Sequence, residues 1–314
     1  MGMKCIGIDV GGTSVKIGLF ETTGELLDKW EVKTRKENGG ANILPDVAAS
    51  IRGKLQERGL ELKKDIAGAG LGVPGPVLSD GSVEVCVNLG WRNINPQKEL
   101  SELLDGIPVK SGNDANVAAL GEMWQGGGKD FDSLVLLTLG TGLGCGIIES
   151  GRLVSGSFGM GGELGHIQVE MDEKEACNCG GHGCLEQYAS ATGIARVAKR
   201  MLDSCDTESV LCGREEITAK DVLDAAKAGD ELAAASTAKS MEYLGRAMSY
   251  VSHITDPECF VIGGGVSRAG EYLLNVIREK YVSYFHVQEP QAEIRLAELG
   301  NDAGIYGAAK LILG

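Results

Sequence analysis

Two stretches of the chain share one layout. CIGIDVGGTSVKIGLFETTGEL (5 to 26) and LVLLTLGTGLGCGIIESGRL (134 to 153) each run as apolar strand, Gly/Thr turn, second apolar strand, acidic residue and Gly turn. A supersecondary layout that recurs without a low-complexity linker between its copies constrains the chain to two domains of similar topology. Between the copies the pattern predicts a helix near 42–58, a buried strand in DIAGAGLGV and a helix opening at NDANVAALGEMW. After the second copy it predicts helices near 186–203, 218–228 and 231–254, a strand in CFVIGGG, a helix near 270–284, a strand in AEIRLAEL and a last helix from about 302. Strands interleaved with helices on this scale specify an α/β fold.

Composition excludes several functions. The 314 residues, 43% hydrophobic, suffice for one large or two medium cores, but no run approaches the roughly 18 apolar residues of a membrane span. MGMKCIGIDV enters a strand within a few residues and lacks the parts of a signal peptide, so the cytoplasm is the expected compartment. There the nine cysteines read as free thiols or metal ligands rather than disulfides. A formal charge of -14 with no basic stripe repels phosphate backbones, which argues against nucleic acid as a partner.

The glycine-rich turns admit two readings. Backbone N–H groups of such a turn can cradle phosphate with no side chain in the way. Alternatively DVGGT and LGTGLG are two hairpins whose glycines only supply positive φ. Asp9 before the first turn, and Thr13 and Thr141 within the two, favour the cradle, because a carboxylate and hydroxyls suit Mg²⁺ and phosphate. The lysine-bearing P-loop pattern is absent. GLGVPG (70 to 75) fits the dinucleotide fingerprint, yet Pro74 sits inside it and no helix opens there, so it is read as a decoy. GGGVS (263 to 267) is either a strand-to-helix turn or a nucleotide contact. Asp114 in GNDAN is either a helix cap or a group that orients a nucleophile for phosphoryl transfer.

HIQVEMDEKEACNCGGHGCLEQ (166 to 187) concentrates Cys177, Cys179 and Cys184 behind His166 and ahead of Glu186. Three thiolates and an imidazole close a tetrahedral Zn²⁺ shell of the structural kind, although the C-x-C step is short and unliganded thiols remain the alternative. His182 rivals His166 as the fourth ligand by proximity. Cysteines 5, 86, 145, 205, 212 and 259 stand in apolar or helical contexts and read as packing residues.

Taken together, IDVGGTSVKIGLF, NDANVAALGE, LGTGLGCGI, GELGH and CNCGGHGCLEQ resemble the ROK family of repressors and sugar kinases, its glucokinase branch most closely. The resemblance extends from residue 5 through VIGGGVS to DAGIYGAAKLIL. It implies two ribonuclease-H-like domains of the actin/hexokinase type around a nucleotide and sugar cleft. The first would be 1–117 with the helix 302–314 packing back onto it, the second 118–301 with the zinc loop. It places the fourth zinc ligand at the Gly-His where His166 stands, makes Asp114 the catalytic base, and gives Gly75, Asn113, Asp114, Glu163, His166 and Glu186 to the sugar. Asp9 would hold Mg²⁺, Gly11, Gly12, Thr13, Thr141 and Gly142 would line the phosphates, and Gly264 and Gly265 would face the adenosine of ATP. Asn88 and Trp91 would lie near the cleft, with a core or lid role for Trp91 the alternative. The implied reaction is ATP-dependent phosphorylation of a hexose at its 6-hydroxyl: glucose first, with fructose, allose or N-acetylmannosamine as alternatives. A sugar sensor without turnover is the reading from another class, disfavoured by an intact Asp114 and by a chain that begins almost at its first strand rather than with a helix-turn-helix. The resemblance also implies a homodimer or a dimer of dimers.

Overall fold

The computed structural model describes residues 2–204 and 207–314. Contacts divide the chain into two compact units, Met1–Asp130 with Gly146–Gly162 and Leu299–Gly314, and Phe131–Cys145 with Glu163–Glu298.

The first unit is built on β1 (Lys4–Val10), β2 (Ser14–Glu21), β3 (Leu26–Lys33), α1 (Ile43–Glu57), α2 (Leu62–Asp65), β4 (Ile66–Val73), the β5–β6 ribbon (Val83–Cys86 and Trp91–Ile94), α3 (Pro96–Leu103), β7 (Val109–Asn113) and α4 (Asp114–Gln125). Its sheet has the order β3-β2-β1-β4-β7. The first hairpin pairs antiparallel, with Asp9 opposite Lys16, whereas β1, β4 and β7 run parallel. Alternation along β1 sends Ile6, Ile8 and Val10 to the face shared with Ile43, Val47 and Ile51 of α1. Cys5, Gly7 and Asp9 therefore point to the opposite face. The strand β3, the ribbon, α3 and β7 carry no strong periodic signal in the sequence, and none was expected there.

The second unit contains β8 (Leu134–Leu139) and the start of β9 (Leu143–Glu149). The chain returns within β9 to the first unit, where its end pairs with β10 (Arg152–Leu153), Leu153 opposite Ile148. The second unit then continues with α5 (Glu186–Ala189), α6 (Ala191–Ser204), α7 (Ala219–Lys227), α8 (Glu231–Thr255), β11 (Cys259–Gly263), α9 (Glu271–Val282) and β12 (Glu293–Leu296). The strands β8, β11 and β12 are parallel neighbours in the order β8-β11-β12. The single helix expected over 186–203 is broken at Ser190. This residue is extended (φ -75°, ψ 172°), and its hydroxyl accepts from the Gly193 N–H at 3.0 Å, which starts α6 anew.

The last helix, α10 (Ala303–Leu313), belongs to the first unit. It lies so close to the sheet that a Cβ on Gly7 would stand 1.9 Å from the Ile305 carbonyl oxygen, and one on Gly70 1.7 Å from that of Ala308. Gly307 and Gly121 play the same part where α10 crosses α4, a Cβ on Gly307 falling 1.6 Å from the Val117 oxygen. Gly70 of GLGVPG thus serves helix packing, and β4 runs as strand to Val73 with no helix opening after it, in line with the decoy reading of that motif. Phe20, Trp124 and Tyr306 fill the rest of this face, with Phe20 and Tyr306 edge to face at 4.8 Å. The boundary expected at 117/118 falls inside α4, whose packing on α10 keeps the chain in the first unit up to Asp130. Residues 146–162 also join that unit, and the chain rejoins it at Leu299 rather than at 302.

Candidate active site

In the first unit the turn between β1 and β2 is tightened by the Gly11 N–H, which donates to the Ser14 carbonyl at 3.1 Å. The turn does join a hairpin, but neither Gly11 nor Gly12 has positive φ, so supplying it is not what these glycines do. Gly11 is required by close approach: a Cβ there would be 2.8 Å from the Ser14 oxygen. Buried Thr34, just beyond β3, backs the turn. Its hydroxyl donates to the Gly11 carbonyl at 2.7 Å, and its N–H donates to that of Thr13 at 3.0 Å. The Thr13 side chain is left exposed.

Asp9 ends the glycine-bearing face of β1. Gly304, in the first turn of α10, leaves it room, since a Cβ there would sit 2.6 Å from the Asp9 carboxyl carbon. Burial pushes the Asp9 carboxyl up to about 6, with Lys16 pulling it down and the charge of Asp114 adding to the rise. Asp9 and Asp114 therefore act on one another within one unit.

Asp114 is the first residue of α4, but it does not cap the helix. The cap is Asn113, the last residue of β7, whose Oδ1 accepts from the Asn116 N–H at 3.1 Å. The Asn113 amide also donates from Nδ2 to the Gly75 carbonyl at 3.1 Å, holding that loop at the end of β4, where Gly75 has φ 90°. Asp114 itself is exposed. Asn88 is exposed near the turn, its carbonyl oxygen 4.0 Å from where a Gly12 Cβ would be. Trp91 is 2% exposed and its indole N–H donates to the Gly40 carbonyl at 3.3 Å, so its role is in the core.

In the second unit Gly140, Thr141 and Gly142 form the turn between β8 and β9, closed by the Gly140 N–H donating to the Gly142 carbonyl at 3.0 Å. These glycines too lack positive φ. Glu186 explains Gly142: its Oε2 accepts from the Leu143 N–H at 3.0 Å and lies 2.2 Å from where a Gly142 Cβ would be. Thr192 donates to the Thr141 carbonyl at 2.8 Å, and the Ala191 N–H at the start of α6 donates to that of Gly140 at 2.7 Å. Gly264 follows β11 with φ 80°, and a Cβ there would strike the Leu139 backbone at 2.5 Å, so its turn lies against the strand that enters the Gly140 turn. A Cβ on Gly265 would meet nothing within 4 Å.

His166, Cys177, Cys179 and Cys184 place one donor atom each within 4.8 Å of one another. Cys179 and Cys184 Sγ are 3.6 Å apart, and Cys177 Sγ is 4.0 Å from His166 Nδ1. Sulfur ligands on a tetrahedral Zn²⁺ stand about 3.8 Å apart, so the donor set fits zinc. His182 is not part of this group. His166 turns its other nitrogen, Nε2, toward Glu163 Oε2 at 3.9 Å. Glu186 Oε1 is 3.6 Å from Cys177 Sγ, so one carboxylate joins the cysteine cluster to the Gly142 turn. Of the cysteines read as packing residues, 5, 86, 145 and 259 are buried, whereas Cys212 is exposed because it lies in a turn rather than a helix. Cys205 lies outside the described residues.

Several residues escaped the sequence reading. Glu173 is 4% exposed and accepts from Arg200 at 2.7 Å and from the Tyr188 hydroxyl at 2.6 Å, anchoring the cysteine loop to α5 and α6. Thr34, Lys36 and Gly304 beside the first turn were also missed. Their spacing carries no motif, and only the fold brings them there.

Residues 5–314 match the ROK family. A glucokinase of Halalkalibacterium halodurans is 42% identical over 98% of this chain and 94% of its own length. A glucokinase of Thermotoga maritima is 38% identical over 99% and 97%. Among solved structures, a ROK family glucokinase from Streptomyces griseus in complex with glucose and AMPPNP has a TM-score of 0.76 at 34% identity, covering 98% of both chains. The fold is that of the ROK sugar kinases, of the actin/hexokinase type, and the chain belongs to the ROK family.

Proposed function

We propose that the chain is a glucokinase that transfers the γ-phosphoryl group of ATP to the 6-hydroxyl of glucose. The observation that carries the reading is Asp114: the capping duty falls to Asn113, and an exposed carboxylate coupled to Asp9 remains at the head of α4. In the reaction the O6 oxygen bonds to the γ-phosphorus as the bond from that phosphorus to the bridging oxygen breaks. Asp114 takes the O6 proton, and ADP leaves with the bridging electrons. The family resemblance gives Gly75, Asn113, Asp114, Glu163, His166 and Glu186 to the sugar, Gly11, Gly12, Thr13, Thr141 and Gly142 to the phosphates, and Gly264 and Gly265 to the adenosine.

Asp9 fits Mg²⁺, because a half-buried carboxyl pushed up to about 6 gains from a cation. When bound, the ion would neutralise phosphate charge. His166, Cys177, Cys179 and Cys184 would hold Zn²⁺, whose part is to stiffen the loop that carries Glu186. Nδ1 would then be the ligand nitrogen, and Nε2 would keep its face toward Glu163 and a sugar hydroxyl. A homodimer or dimer of dimers in the cytoplasm completes the reading, and light scattering checks the assembly.

The test is a panel of hexoses with ATP, read by ADP release. Glucose should give the highest kcat/KM. A higher value on fructose, allose or N-acetylmannosamine would move the specificity, and glucose binding without ADP release would make the protein a sensor.

A further inference from the structure

Lys36 takes no part in the scheme above, yet the fold delivers it to the first phosphate turn. The segment after β3 is fixed just ahead of this side chain. Thr34 is bonded to Gly11 and Thr13, and Arg35 makes two 2.6 Å bonds to Asp46 of α1. This leaves the Lys36 ammonium over the turn, 3.3 Å from the point where a Cβ on Gly12 would stand.

Lys16, the other cation close to this centre, faces Asp9 across the hairpin and donates to the Asn301 carbonyl at 3.0 Å. Arg35 is held by Asp46. Lys36 makes no ion pair among the described residues and is exposed. The charges of Lys36 and Asp114 both act on the Cys86 thiol, so ammonium and carboxylate flank the same part of the unit.

Phosphoryl transfer has a specific need at such a place. Charge builds on the equatorial oxygens of the group in flight, and donors aimed at them are the main source of acceleration. With Asp9 and Asp114 both acidic, the centre repels a triphosphate unless a cation offsets them. We propose that Lys36 is a catalytic residue whose ammonium binds the phosphoryl group transferred from ATP over the Gly12 turn. The proposal rests on the kinase reading.

The experiment uses the full chain, zinc-replete, with saturating glucose and varied ATP, comparing wild type with Lys36→Met and Lys36→Arg. Lys36→Met should lose about 10²- to 10³-fold in kcat/KM for ATP, the range for removing one transition-state donor. Lys36→Arg should recover at least tenfold of that loss. Glucose affinity, titrated without nucleotide, should stay within twofold in both variants, a readout that a folding defect would move. Lys36→Met within threefold of wild type overturns the proposal and leaves the kinase reading standing. An equal loss in Lys36→Arg, or weakened glucose binding in Lys36→Met, also overturns it. A wild-type chain that releases no ADP with any hexose removes the kinase reading itself.

Discussion

At Asn113 and Asp114, adjacent polar residues before an apolar helix could exchange roles, and the sequence could not say which one caps. Position in the chain decides it: Asn113 is the last residue of β7 and Asp114 the first of α4, so only the Asn113 side chain reaches back to the Asn116 N–H. Asn113→Ala should therefore cost about 1 kcal/mol of stability for the cap, and more if the Gly75 loop also loosens. Asp114→Ala, which removes the bond that Oδ1 accepts from the neighbouring Ala115 N–H at 2.8 Å, should cost less than Asn113→Ala. Thermal melting of the two variants checks this, and the reverse order would return the cap to Asp114. The glycines teach a related point. Gly12 and Gly142 were legible as turn residues, but their neighbours, the Lys36 ammonium over one and the Glu186 carboxylate against the other, required coordinates.

Among the elements, long periodic helices and buried strands were readable, because 3.6-residue and two-residue alternation survive in the sequence. The ribbon β5–β6, α3 and β7 were not, since their length and composition give no period to read. The cysteine loop was legible as a ligand set, yet its mounting on α5 and α6 was not, because Glu173, Arg200 and Tyr188 meet only through the fold. The Arg200 hydrogen bond, helped by Tyr188, outweighs burial and holds the Glu173 carboxyl well below the usual carboxylate range. A depressed folded value gives stability that is present above the unfolded value near 4.5 and lost as pH falls below it. Glu173→Gln should thus destabilise by about 1.5 to 3 kcal/mol near pH 7. The gap to wild type should begin to narrow below about pH 4.5 and close only as pH falls through the depressed folded value. A gap that does not narrow from pH 7 down to about pH 2.5 would show that the ion pair is not its source. The clip itself predicts about one Zn²⁺ per chain by elemental analysis of protein purified without added metal. Cys179→Ala should lose the metal and glucose binding together, since structural zinc contributes on the order of 10 kcal/mol to ordering its loop. Metal-free protein with full glucose affinity would contradict the clip.

For the whole molecule, the repeat of strand, turn and strand was enough to announce two units, and each unit does carry one Gly/Thr turn between neighbouring strands. The division of the chain between them was less legible, because α4 looks from sequence like a place to cross over and is instead clamped to α10 by contacts through Gly121 and Gly307. Asp114 is proposed to take a proton from a sugar hydroxyl as ATP gives up its phosphoryl group. The most direct measurement compares wild type and Asp114→Asn for glucose-dependent ADP release and for glucose affinity. The substitution keeps size and leaves the Asn113 cap in place, so folding, zinc content and glucose binding should survive while kcat falls by at least about 10²- to 10⁴-fold. An Asp114→Asn enzyme that keeps more than about a tenth of the wild-type kcat would contradict proton abstraction by this residue.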